Sequence, residues 1–342
     1  MSHLLRPYTL DAIELKNSIV MPPMCMYKAL EDGNVTPFHL AHYGARAIGG
    51  VGLIIVEATS IEARGRISDH DLGLWNDEQI ASHRTLVETC HQLGAKMAIQ
   101  LAHAGRKSVC LHSTPVAPSR IAFSDKNGYK MPHELSLEEI GLIKHAFVQA
   151  ALRATQAGYD ALELHAAHGY LLCEFLSPLT NKREDAYGGT LEKRCALLLE
   201  ITQAILAVTS VPLIIRLSAD EWMDEGWSVD ESIYLSRALK ACGVSMIHVS
   251  AGGNHEHQTH IPPLKPLYQA NYAKRIREEA HIPTIAVGLI TTAEQGEKLL
   301  GEGYCDLVAY GRELLRNPNF VWHTAKAQGD KERIEPSYLR AF

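Results

Sequence analysis

The chain has 342 residues, 46% of them hydrophobic, enough for one large core, and α/β barrels with insertions commonly reach this length as a single domain. Its 33 Lys and Arg against 39 Asp and Glu give a formal net charge of -6, with no basic run that would suit nucleic acid or an anionic membrane surface. The expected partner is a small molecule.

The opening MSHLLRPYTL has no long apolar region and no small-residue cleavage site, and no later stretch approaches the ~18 apolar residues of a membrane span. A cytoplasmic protein is therefore expected. Short apolar, β-branched runs then recur at residues 19–24, 51–56, 96–101, 161–165, 213–217, 246–250, 284–287 and 306–309. Nearly all are continuous rather than alternating, as in parallel strands covered on both faces. Between them lie segments with helical spacing, three of them opened by the capping-box pairs Ser136 with Glu139, Ser228 with Glu231 and Thr292 with Gln295. The glycines of Gly49-Gly50-Val51-Gly52 come before the body of the second strand rather than after it and read as a helix cap and tight turn. Residues 109–133, rich in Ser and Pro, read as a loop inserted after the third strand.

Eight alternations without a linker or a shift in composition predict an α/β fold, a (β/α)8 TIM barrel, over residues 1–342. The runner-up is a doubly wound dinucleotide-binding sheet, but no strand is followed by G-x-G-x-x-G. The seven cysteines form no CxxC pair, which fits reduced thiols rather than a disulfide or zinc framework.

In such a barrel the strand C-termini form the active face. Gly288, and Gly311 with Arg312, fall at the ends of strands seven and eight, where barrels often hold phosphate on backbone N–H groups. An arginine there adds a bidentate contact. His165 and His168 end strand four, three residues apart. Two imidazoles can donate hydrogen bonds to a substrate oxygen, and with further ligands they could hold a metal, although no carboxylate lies between them. No metal site is assigned. Nearby Tyr170 offers a phenol that can deliver a proton while staying neutral at pH 7. Arg216, near the end of strand five, either pairs with a carboxylate such as Glu57 or stands as a fixed cation beside an electron-accepting ring.

These strand ends resemble the Old Yellow Enzyme family, specifically its short bacterial branch. The resemblance rests on PPMCMY at residues 22–27, QLAHAGRK at 100–107, HAAHGYL at 165–171, FLSPLTNKREDAYGG at 175–189 and GRELLRNP at 311–318, all in order. It implies noncovalent FMN over the barrel mouth, with NADPH or NADH as reductant. Pro23, Met24, Cys25 and Ala58 would lie around the ring, Gln100 and Arg216 at its pyrimidine edge, and Gly288, Gly311 and Arg312 at its phosphate, with Lys107 as a supporting contact. Cys25 would tune the flavin through a weak S–H donor; otherwise it is a small buried hydrophobe. His165 and His168 would bind the oxygen of an activated alkene, Tyr27 would help orient it, and Tyr170 would supply a proton. The implied activity is an ene-reductase acting on α,β-unsaturated carbonyl or nitro compounds by ping-pong kinetics.

Two other functions remain open: a metal-dependent barrel hydrolase using His165 and His168, and a non-catalytic phosphate-binding barrel. Arg340, in the terminal segment 336–342, is either a solvated end or, as the resemblance implies, a contributor to a neighbouring subunit's substrate pocket. The latter makes the protein a homodimer or homotetramer with shared active sites.

Overall fold

The computed structural model describes residues 2–126 and 128–342. Every apolar run read from the sequence forms a strand: β1 (Ile19–Met21), β2 (Leu53–Ser60), β3 (Lys96–Ala102), β4 (Ala161–Ala166), β5 (Leu213–Ser218), β6 (Met246–Ser250), β7 (Thr284–Ala286) and β8 (Leu307–Ala309). Neighbouring strands pair in parallel in chain order, and β8 closes on β1. Both faces of each strand are covered, which is why the sequence runs are continuous rather than alternating. The fold is a (β/α)8 TIM barrel.

The outer helices are amphipathic. Leu137–Ala157 turns Ile140, Ile143, Phe147, Ala150, Ala151 and Ala154 toward the barrel at helical spacing. All three capping boxes form, at Ser136, Ser228 and Thr292. Helix Pro37–Ile48 ends at Gly49, where a Cβ would meet the Pro318 carbonyl at 2.0 Å. Among the described residues no helix is long and apolar enough to cross a membrane.

Two features depart from the sequence reading. A hairpin of Tyr8–Leu10 and Ile13–Leu15, turning through Asp11 at φ 50, precedes the barrel. Its Leu10, Ile13 and Leu15 pack against Leu53, Ala98, Ala161, Ile214, Met246 and Ile285 inside the barrel's lower end. The insertion at 109–133 is not wholly a loop, because Val116–Ala117 pairs in parallel with His133–Glu134. Buried Arg183 pins it, donating to the carbonyls of Pro118 at 3.0 Å and Leu135 at 2.6 Å. The FLSPLTNKREDAYGG segment thus holds a wall of the active face through main-chain contacts.

Candidate active site

Side chains two residues apart along a strand point to the same side, and inward-facing positions change from apolar to polar as the strands rise. Above Ala98, Ala161, Ile214 and Met246 come Gln100, Glu163, Arg216 and His248, and above these His165, Ser218 and Ser250. Register places Gln100 opposite Glu163, and Arg216 opposite both His165 and His248. Gln100 Nε2 donates to Glu163 Oε1 at 2.8 Å, and His248 Nδ1 lies 2.7 Å from Glu163 Oε2. Burial holds the His248 imidazole below its ordinary pKa, against the pull of Glu163, so the neutral ring donates through Nδ1–H.

Arg216 is 7% exposed, and among the described residues its Nε has no hydrogen-bond partner and it forms no ion pair. Burial lowers its pKa, while Glu163 acts in the opposite direction. The pairing with Glu57 does not form. Glu57 instead accepts from the Met26 N–H at 2.8 Å and the Tyr43 hydroxyl at 2.9 Å, and burial raises its pKa to about 7. It anchors the segment after β1 that carries Cys25 and Tyr27. A register shift between Val56 and Thr59 bulges β2 at Glu57 and Ala58, re-aiming both residues at the rim. Burial also pushes the Cys25 thiol up, so it is neutral.

His165, His168 and Tyr170 stand together at the top of β4. The ring of His165 lies edge-on to those of His168 at 5.2 Å and Tyr170 at 4.9 Å. Burial, followed by the field of Arg216, holds both imidazoles well below their usual pKa, and burial raises the Tyr170 phenol well above its own. All three are neutral near pH 7. His165 Nδ1 accepts from the Ala167 N–H at 3.3 Å, which assigns its proton to Nε2. His168 Nε2 lies 2.7 Å from the Ser250 hydroxyl, leaving Nδ1 for the site. His168 itself sits at φ 60.

Lys107 braces this turn. Its ammonium donates to the carbonyls of His168 at 3.0 Å and Gly253 at 3.1 Å, and lies 5.1 Å from the Tyr170 ring centroid. Burial lowers its pKa to about 8. Tyr27 stands half-exposed at the rim. In the loop after β6, His255 lies 3.4 Å from buried Glu221, whereas His257 and His260 are largely solvated.

From Arg216 a cavity of about 350 Å³ extends across Ser250 to Gly288, Gly311, Arg312 and Arg316. Gly288 has φ +130, and a Cβ there would meet the terminal amide of Gln269 at 2.8 Å, so the backbone comes close to the cavity where only glycine fits. Arg316, which the sequence reading missed, lines the same end, with Nη2 2.6 Å from the Glu313 carboxylate. Arg340 is not brought to this mouth. It is exposed within Pro336–Ala341, where Tyr338 packs on Trp322 at 4.9 Å and lines a cleft with Ile48, Leu93 and Gly94 near the N-terminal ends of β2 and β3. Among the described residues no group of three His, Cys, Asp or Glu side chains is placed to hold a metal ion.

The cavity suits a long planar ligand with a polar edge and a phosphate. Arg216, a buried cation without an ion pair among the described residues, stands at one end, with a glycine cradle and two arginines at the other, the arrangement of a flavin-dependent barrel oxidoreductase. The family model described as NADH:flavin oxidoreductase / NADH oxidase matches residues 3–331, and the chain belongs to this family, that of Old Yellow Enzyme. It is 48% identical to an NADPH dehydrogenase of Bacillus cytotoxicus, over 99% of this chain and 97% of that one. A structure of morphinone reductase in complex with tetrahydroNAD superposes with a TM-score of 0.82 at 27% identity, covering 99% of this chain and 94% of that one. The old yellow enzyme homologue of Zymomonas mobilis gives 0.82 at 28% identity, covering 95% and 92%. The protein is an FMN-dependent NAD(P)H oxidoreductase.

Proposed function

We propose that the protein is a single-domain ene-reductase that reduces the activated C=C bond of α,β-unsaturated carbonyl or nitro compounds. The observation that carries this reading is the group of three neutral donors, His165, His168 and Tyr170, set on one strand end beside the buried cation of Arg216. Bound FMN would supply hydride chemistry, taking a hydride from NADPH or NADH and giving one to the alkene in two half-reactions that share one cleft, hence ping-pong kinetics.

The chain's own residues bind and polarise. Pro23, Met24, Cys25 and Ala58 would form the surface for the ring, Gln100 and Arg216 would hold its pyrimidine edge, and Gly288, Gly311 and Arg312 would take the phosphate. His165 through Nε2–H and His168 through Nδ1–H donate to the carbonyl or nitro oxygen, and the negative charge that gathers there is stabilised by donors already in position. Neutral imidazoles suit this role beside Arg216, since a second buried cation would be costly. Tyr170 delivers a proton to the α-carbon, Tyr27 lies over the substrate at the rim, and Lys107 supports the site from behind the His168 turn. Arg340 does not line its own mouth, and its role is to complete the substrate pocket of a neighbouring subunit in a homodimer or homotetramer.

The test is Tyr170→Phe, which keeps the ring and its packing. Stopped-flow reduction by NADPH should run near the wild-type rate, while reoxidation by an enone slows about 10²-fold or more, the usual contribution of a positioned acid. Equal slowing of both half-reactions would overturn the assignment.

A further inference from the structure

Glu163 is wholly buried at the centre of the barrel. Both of its oxygens accept hydrogen bonds, from Gln100 at 2.8 Å and from His248 at 2.7 Å. Glu163 leads the anionic groups acting on Arg216. The bond to Glu163 fixes which way the Gln100 amide is turned and leaves its oxygen available as an acceptor. Among the described residues His248 Nε2 is buried with no hydrogen-bond partner, and its donor Nδ1–H serves Glu163. None of these features is needed to close the barrel, because apolar side chains fill the layer beneath.

We infer that Glu163 is a positioning residue for the flavin's pyrimidine edge: its carboxylate locks the Gln100 amide with the acceptor outward, offsets the positive field of Arg216, and lowers the reduction potential of bound FMN. This rests on the reading that Gln100 and Arg216 face that edge. Reduction places negative charge on the ring, which Arg216 favours and a carboxylate behind Arg216 opposes. Glu163 therefore holds the potential below the value Arg216 alone would set, keeping the reduced ring a stronger hydride donor.

The test uses the FMN-loaded protein and three variants. Glu163→Gln can be accommodated, since its oxygen still accepts from Gln100 while its amide nitrogen donates to His248 Nδ1 once that ring takes the other tautomer. Equilibration with redox dyes should show a raised potential. Charges in a partly buried setting interact strongly enough for the equilibrium constant of reduction to change on the order of tenfold, about 30 mV for a two-electron couple. Glu163→Asp keeps the charge and should stay near the wild-type potential, whereas a merely structural role would make it as disruptive as Gln. Arg216→Met should lower the potential. If Arg216→Met moves the potential and Glu163→Gln does not, the role of Glu163 is overturned while Arg216 keeps its place. If neither variant moves it, the placement of the pyrimidine edge fails with it. Should Glu163→Gln not fold, Glu163→Asp carries the test, and a tenfold change with the charge still present overturns the inference.

Discussion

Arg216→Met should stabilise the protein without FMN and destabilise it with FMN. The side chain is 7% exposed, has an unpartnered Nε and forms no ion pair among the described residues. Methionine retains most of the aliphatic stem and its packing while removing a desolvated cation whose unmet hydrogen bonding costs about 1–3 kcal/mol. In a barrel this large, each kcal/mol raises Tm by roughly 1–3 °C. In the loaded protein the same change removes one partner from a buried charge contact, a loss of about 2–5 kcal/mol. That weakens FMN binding on the order of 30-fold to several thousand-fold, and the ligand's contribution to stability falls with it. Thermal unfolding with and without saturating FMN, beside fluorescence titration of FMN into apoprotein, measures both signs. An apoprotein less stable than wild type, combined with unchanged FMN affinity, would make Arg216 a structural residue and refute the reasoning.

His165→Ala and His168→Ala should each retain FMN and weaken phenol binding about 10- to 100-fold, as expected for losing a hydrogen bond to a charged acceptor; titration of the long-wavelength charge-transfer band reads this, and unaltered titrations would remove both residues from the site. Gly288→Ala combines a backbone at φ +130, strained by about 1–3 kcal/mol, with a Cβ 2.8 Å from the terminal amide of Gln269. FMN affinity should fall about tenfold or more in a fluorescence titration, and wild-type affinity would show that the phosphate does not approach this turn. Deleting residues 337–342 should raise KM for enones and reduce association in analytical ultracentrifugation while FMN stays bound. Wild-type kinetics and mass would leave the tail as packing on Trp322 alone.

The barrel was legible because parallel strands covered on both faces must be apolar throughout, and all eight runs are. Capping boxes marked helix starts because they are local chemistry, carried by side chains three residues apart. The hairpin at residues 8–15 was hidden for the opposite reason: its strands have three residues each, and its turn at Asp11 lacks the Asn-Gly or Asp-Gly signature. The pairing of Val116–Ala117 with His133–Glu134 depends on Arg183, about 50 residues further along, so no local pattern announces it. Within the site, His165, Tyr170 and Arg216 were found by their position at strand ends. Glu163 and His248 were passed over because they lie inside the strands. A signal was present, since both are polar residues at mid-strand, inward-alternating positions in ALELHA and MIHVS, and burying such groups is costly unless they meet each other. Arg316 lay one helical turn beyond the Gly311-Arg312 pair and reads as a surface residue until the cavity is seen.

The hairpin bears on how far charge acts within this molecule. Leu10, Ile13 and Leu15 stopper the lower mouth of the barrel, so bulk solvent borders the layer of Gln100, Glu163, Arg216 and His248 from above only. A ligand seated across the upper mouth turns that layer into an enclosed compartment with a hydrocarbon floor. Fields inside it are screened far less by salt and water than at the surface. A substitution in that floor, at Ile13 or at Ile214 or Met246 of the same cluster, that admitted solvent would weaken every electrostatic contact above it without touching one of them.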